Sequence, residues 1–176
     1  MKSTLNSYII FQETCVNKFM KNGRETTRNI IQKALIEKRY ELLEPEAKEF
    51  IEACGIKTTK QRVTSSREEA IQAARSFGYP VVLKIVSPDI SHKTDVGGVR
   101  LDIRDDDGVR DAYDEIIRMV TERMAGSRIY GILVQEMATP SSEVIVGGLR
   151  DPQFGPAVMF GLGGIFVEVF KDVSFR

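Results

Sequence analysis

Cysteine is scarce in this sequence. Cys15 and Cys54 are its only two, which excludes a disulfide framework and gives no metal-ligand spacing. Reduced thiols in a cytosolic protein are the expectation. Net charge is absent as well: 25 Lys and Arg residues balance 25 Asp and Glu. Such a chain has no general pull toward nucleic acid or an anionic membrane, so any anion binding has to be local. Long apolar runs are also missing. The run near the start, Tyr8–Phe11, is too short for a signal-peptide core. No stretch approaches the ~20 apolar residues of a membrane span, and the expected location is the cytoplasm. A phosphate loop of the form G-x-x-x-x-G-K-S/T occurs nowhere, which excludes a Walker-type nucleotide site.

What remains is the composition of a folded soluble chain. Of 176 residues, 42% are hydrophobic and 28% charged, enough for one domain or two small lobes. Residues 1–24 show no clear period. From Thr26 the pattern turns helical, with Ile30, Ile31, Ala34 and Leu35 on one face. Pro45 suits the first turn of a second helix. Ala47, Phe50, Ile51 and Cys54 predict its buried face, and Gly55 its end. Lys60–Thr64 reads as a short strand. Ser66 and Glu69 have capping-box spacing, which predicts a helix with Ala70, Ile71, Ala74 and Phe77 inward and Gly78 as its stop.

Val81–Val86 (VVLKIV) is short and β-branched, the pattern of a buried strand. A polar loop, Ser87–Gly98, precedes the next strand, Val99–Ile103. Asp105–Asp107 opens a long helix burying Val109, Ala112, Tyr113, Ile116, Ile117 and Val120. Ile129–Met137 and Glu143–Leu149 read as strands, and Ala157–Phe170 as two short strands around a glycine turn. The order β-α-β-β-α-β followed by antiparallel strands is α+β, split near Glu136.

Lys84 stands inside an apolar run, and a buried ammonium needs a partner. Two readings are open: a lysine paired with a carboxylate or reaching the strand edge, or one that meets an anionic ligand such as a nucleotide phosphate. Gly97 and Gly98 let the backbone come close to such a ligand, and Lys93 adds charge, although a glycine pair after a strand is most often a plain turn. His92 is the only histidine and has no second imidazole to complete a metal site. A lone loop histidine is usually a surface residue. Its place between Lys84 and the glycine pair makes it a candidate nucleophile toward phosphorus. Gln135, Glu136 and Met137 end a strand at the junction, a common place for a pocket. Glu143 and Glu168 are further candidates, each of which could equally be a solvated carboxylate.

The segments EAKEFIEACGI, YPVVLKIVSPDISHKTDVGGVRL, ILVQEMA and SEVIVGGLRDPQFGPAVMFGLGGIFVEV together resemble the β subunit of ADP-forming acetyl-CoA and acyl-CoA synthetases. These are ATP-grasp proteins related to succinyl-CoA synthetase. The likeness is collinear from about Glu44 to Val173. It implies an ATP-grasp fold with residues 1–43 an arm and helix, 44–135 the first lobe, and 136–176 the start of the second. It implies that Lys84 and Lys93 contact nucleotide phosphates under the loop that ends at Gly97 and Gly98. Gln135, Glu136 and Met137 would form the adenine hinge, with Glu143 near the ribose. His92 falls where that family carries a histidine that accepts a phosphoryl group and passes it to ADP. The implied reaction is acyl-CoA + ADP + phosphate to acid + CoA + ATP, with Mg²⁺ and a CoA-binding α subunit.

The Mg²⁺ ligands of an ATP-grasp domain come late in its second lobe, and neither Asp151 nor Asp172 occupies that motif. The resemblance therefore implies a truncated or split form with little turnover by itself. A carboxylate–amine ligase of the same superfamily, a nucleotide-binding module without turnover, and an unrelated α+β binding domain are the competing readings.

Overall fold

The structure is a computed structural model that describes residues 23–138, 144–162 and 173–175. Helix α1 covers 23–36. It is followed by α2 (Glu44–Ala53), β1 (Gln61–Thr64), α3 (Arg67–Phe77), β2 (Val81–Val86), β3 (Val99–Ile103), α4 (Asp106–Arg123), β4 (Gly131–Glu136), β5 (Val144–Asp151), β6 (Gly155–Leu162) and β7 (Val173–Phe175). Two compact units result, Met1–Met137 and Ala138–Arg176. The predicted α+β order is met. No helix among the described residues is long and apolar enough to cross a membrane.

The first unit is built on an antiparallel sheet of order β1-β4-β2-β3. Strand alternation sends successive side chains to opposite faces. Val81, Leu83 and Ile85 of β2, with Ile132 and Val134 of β4, pack under α3 and α4 against Ala70, Ala73, Ala74, Val109, Ala112, Ile116 and Val120. Each large side chain buried there stabilises the fold by roughly 1.5–3 kcal/mol. Both helices start on side-chain caps: Ser66 Oγ accepts from the Glu69 N–H at 3.2 Å, and Asp105 Oδ1 from the Gly108 N–H at 2.7 Å. The Glu69 carboxylate reaches back to the N–H of Ser65 at 2.7 Å, one residue before the cap.

The other sheet face carries Val82, Lys84 and Val86 of β2. Through the register Val82↔Gln135, Lys84↔Leu133, Val63↔Leu133 and Gln61↔Gln135, it also carries Leu133, Gln135, Gln61 and Val63.

Two helical faces differ from expectation. Ile30 and Ala34 of α1 are buried, but Ile31 and Leu35 are 45% and 55% exposed. In α2 the predicted stripe fails: Ile51 and Cys54 are exposed, Ala47 and Phe50 only half-buried, and the buried residue is Glu46. The face turned inward is the one that lets Glu46 pair with Arg39, which satisfies both buried charges.

The second unit is a three-stranded antiparallel sheet, β5-β6-β7. Val144, Val146, Val158 and Phe160 share one face of the β5–β6 pair and are more than half exposed. The predicted strand after the glycine turn, and Glu168 in it, lie outside the described residues.

Candidate functional site

Lys84 points away from the α3–α4 core because it alternates with Leu83 and Ile85, and it is half-buried. Its Nζ donates to Glu44 Oε1 at 2.5 Å, across forty positions of sequence. Glu44 is the first residue of α2, and its other carboxylate oxygen lies 3.5 Å from Lys93 Nζ. One carboxylate thus bridges two of the expected phosphate ligands. Lys48, one helical turn further along α2, donates to Thr59 Oγ1 at 2.6 Å.

The electrostatics follow from this crowding. Burial pushes the Glu44 carboxyl up, but the hydrogen bond from Lys84 and the charges of Lys84, Lys93 and Lys48 outweigh it, and its pKa lies below the ordinary carboxylate value. Burial pushes the Lys48 ammonium down, Glu44 opposes this and Lys84 adds to it, leaving Lys48 below the usual lysine value.

The loop Ser87–Gly98 is folded onto itself. The N–H of Asp95 donates to the His92 carbonyl at 3.3 Å, that of Gly97 to Thr94 at 3.0 Å and that of Gly98 to Lys93 at 2.7 Å, while Gly98 accepts from the N–H of Ile85 at 2.8 Å. In this conformation both glycine N–H groups are used inside the loop rather than directed at a ligand. The glycines have packing reasons as well. Gly97 holds φ +75°, which L side chains rarely adopt, and a Cβ at Gly98 would come 2.6 Å from Ile85 Cγ2. His92 is exposed. Ser87, at the start of the loop, is buried and accepts from the N–H of Asp89 at 3.1 Å.

Gln135 stands opposite Gln61, and the side-chain oxygens of both are buried without a hydrogen-bond partner. Gln61 donates through Nε2 to the Pro45 carbonyl at 3.1 Å, so this pair lies beside the start of α2. The Glu136 carboxylate accepts from the N–H of Lys60 at 3.2 Å, and the Met137 N–H donates to Pro80 at 3.3 Å. Glu143 lies outside the described residues. Beside Glu44 and Lys93 opens a cleft of about 500 Å³, lined by the α1–α2 turn from Lys38 to Pro45, the end of β2 with the loop after it, and Arg128.

The structure therefore brings Lys84 and Lys93 together, with His92 next to Lys93 in the chain, and sets Gln135 on the same sheet face as Lys84. Glu136 projects from the other face. Sequence reasoning missed Glu44, Lys48 and Gln61. The i, i+4 spacing of Glu44 and Lys48 on a helix was the available signal for two of them. Among the described residues no group of three or more His, Cys, Asp or Glu side chains is placed to hold a metal ion. The described residues thus do not supply a Mg²⁺ ligand set.

Residues 33–176 match the ATP-grasp domain family. The chain is 50% identical over 149 residues to the β subunit of acetate–CoA ligase (ADP-forming) I from Pyrococcus furiosus, covering 85% of this chain and 64% of that protein. It superposes with TM-score 0.81 and 55% identity on acetyl-coenzyme A synthetase 1 of Ca. Korarchaeum cryptofilum in complex with coenzyme A, Ca-AMPCP and HgCl⁺, over 85% of this chain and 66% of that one. A second structure of that synthetase, with coenzyme A and Mg-AMPPCP and its phosphohistidine segment pointing towards the nucleotide binding site, matches with TM-score 0.72 and 52% identity over 85% of this chain and 63% of that one. The chain spans less than two-thirds of the length of each of these relatives. With a family match across most of its length and the sheet, loop and lysine pair just described, the chain belongs to the ATP-grasp family.

Proposed function

We propose that this chain is the nucleotide-handling part of an ADP-forming acid–CoA ligase working with a CoA-binding α subunit. The observation that carries the reading is the meeting of the Lys84 and Lys93 ammoniums on one carboxylate, with His92 adjoining. Two half-buried ammoniums that converge on one anion are suited to nucleotide phosphates as compact charges with rotatable donors. The named relatives support the same assignment, being an ADP-forming ligase subunit and a synthetase bound to coenzyme A and nucleotide analogues.

In this reading a ring nitrogen of neutral His92 attacks the phosphorus of an acyl phosphate formed from acyl-CoA and phosphate. The N–P bond forms as the P–O bond to the acid breaks. ADP then takes the phosphoryl group: a β-phosphate oxygen forms the new P–O bond and the imidazole leaves. Lys84 and Lys93 hold the nucleotide phosphates and offset the charge that accumulates between donor and acceptor. The nucleophile is the neutral imidazole, because only its unprotonated ring nitrogen has a lone pair to offer phosphorus. Mg²⁺, for which the described residues of this chain offer no ligand set, would add charge neutralisation if it were held elsewhere in the assembled enzyme. Gln135 to Met137 are proposed at the adenine and Glu143 near the ribose.

The test uses the assembled enzyme with labelled phosphate and acyl-CoA and no ADP. Acid-labile, base-stable label should appear on this chain and vanish in His92→Ala. Label unchanged in that variant would remove the relay and favour a carboxylate–amine ligase.

A further inference from the structure

We infer that Glu44 is an internal competitor for the phosphate site: its carboxylate occupies Lys84 and Lys93 until the phosphates of a nucleotide displace it. This rests on the assignment of those lysines as phosphate ligands and adds to it the device that guards them.

Several observations carry it. Lys84 and Lys93 are each only about a fifth exposed on their side chains, and an ammonium so placed needs an anion whenever no ligand is present. Glu44 meets that need with one oxygen for each. Its own charge has a second support, since it is the first residue of α2, where the helix N-terminus favours an anion. It can therefore give up the lysines without becoming stranded.

The two arms are also unequal, 2.5 Å to Lys84 against 3.5 Å to Lys93, so Lys93 is the arm that yields first. Finally, Glu44 borders the cleft of about 500 Å³, which gives the displaced carboxylate a place to go. Three ammoniums, Lys48, Lys84 and Lys93, act on this one carboxylate, with Glu52 acting on Lys48 as well, and the excess of positive charge is suited to a polyphosphate. Lys93 adjoins His92, so its release from Glu44 also loosens the tether of the His92 loop.

Calorimetric titration of ADP and of pyrophosphate into the chain tests this with Glu44→Gln, Glu44→Asp and Lys84→Ala. Glu44→Gln should bind both ligands about fivefold more tightly, equivalent to ~1 kcal/mol and the upper size of a part-exposed ion pair. Glu44→Asp keeps the charge and is one methylene shorter, so it cannot span both nitrogens. It should gain by a smaller factor, and it guards against a folding failure of the neutral variant. Equal or weaker binding in both Glu44 variants overturns the inference. If Lys84→Ala loses affinity while Glu44→Gln does not gain it, only the competition is wrong. If Lys84→Ala binds like the parent, or no variant binds at all, the phosphate-site assignment fails and the competition with it.

Discussion

Arg39 and Glu46 form a two-pronged ion pair, with Arg39 Nη1 to Glu46 Oε2 and Nη2 to Oε1 both at 2.8 Å. Both residues are 8% exposed. Arg39 also donates to Glu37 and to the Glu41 carbonyl, and Glu46 accepts from the N–H of Leu43 at 3.0 Å. The pair therefore fixes the turn between α1 and α2 and, with it, the position of Glu44. Glu46→Ala leaves a guanidinium buried without its main partner and should cost about 3 kcal/mol, the lower figure for breaking a buried pair. Urea unfolding measures this. A double change to Arg39→Met and Glu46→Leu should cost less than Glu46→Ala alone, because no charge is left stranded. If it costs more, the pair contributes net stability rather than orientation.

This pair also marks where the sequence stopped being legible. The α3–β2–α4 region could be read directly: Ser66 and Asp105 cap, Val81–Val86 forms the strand expected, and Val109, Ala112, Ile116 and Val120 are buried. There, local periodicity and burial agree. In α2 the apolar spacing of Ala47, Phe50 and Ile51 competes with a buried Glu46, whose partner lies seven residues away in the turn before the helix. No periodicity reports such a pair. At the site, Lys84 stood out in sequence because a charge inside an apolar strand is anomalous, and Lys93 only as a positive charge in the glycine-ended loop after it. Glu44 did not, because an acidic residue in a first helical turn is ordinary. Its partner Lys84 is forty positions away, and only the fold brings the two together. The glycine pair was noticed for its freedom to approach a ligand, whereas its contacts with Ile85 and Met119 depend on tertiary packing.

Those contacts give a prediction for Gly98→Ala. The new Cβ would lie 2.6 Å from Ile85 Cγ2 and 3.0 Å from the Lys93 carbonyl, distances at which something has to shift. A cost of about 1–3 kcal/mol is expected for forced overpacking, together with a displaced loop. Adding Ile85→Ala should recover less than the whole loss, since it leaves the carbonyl contact and opens a cavity of its own. Chemical denaturation of the single and double variants reads this. A Gly98→Ala chain as stable as the parent would show that the loop does not sit against β2 as described.

The Tyr79–Asp106–Arg75 cluster contributes to the pH response at both ends of the scale. Hydrogen bonds from Arg75 and Tyr79 hold the Asp106 carboxyl down at about 2. Burial, followed by the hydrogen bond to Asp106, pushes the Tyr79 phenol up to about 12. Asp106 is depressed relative to an unfolded aspartate near 3.9, so its contribution is present above about pH 4 and is lost as the pH falls toward 2. Tyr79 is raised, so its contribution is present below about pH 10 and is lost as the pH rises toward 12. Asp106→Asn should make both limbs of the stability–pH curve shallower, with Asp89 still contributing to the acid limb and burial still raising Tyr79, and move one phenolate titration part of the way toward 10. Absorbance titration of the variant, with Tyr79→Phe to identify the phenol, checks the assignment. An unchanged alkaline limb would exclude the Tyr79–Asp106 contact as its source.

Lys84 and His92 should separate in their effects on nucleotide. Lys84 is half-buried, faces the same side of the sheet as Gln135 and is held at 2.5 Å by Glu44, so its ammonium is already placed for an anion. Lys84→Ala removes a charged hydrogen-bond donor and should weaken ADP binding by about 1.5–3 kcal/mol. His92 is exposed in a loop whose own backbone bonds hold it, through Asp95, Gly97 and Gly98. His92→Ala therefore leaves those bonds and the Glu44 bridge in place, and ADP affinity should stay within about twofold of the parent, ~0.4 kcal/mol. Lys84→Met supplies the control for packing, because it keeps the aliphatic stem against Leu133 and Val99 and removes only the charge. It should bind ADP as poorly as Lys84→Ala. If Lys84→Met instead retains parental affinity, the ammonium contributes nothing to phosphate binding and Lys84 is there only to pair with Glu44. If His92→Ala loses as much affinity as Lys84→Ala, the imidazole belongs to the ground-state nucleotide site, and a role restricted to carrying the phosphoryl group is ruled out.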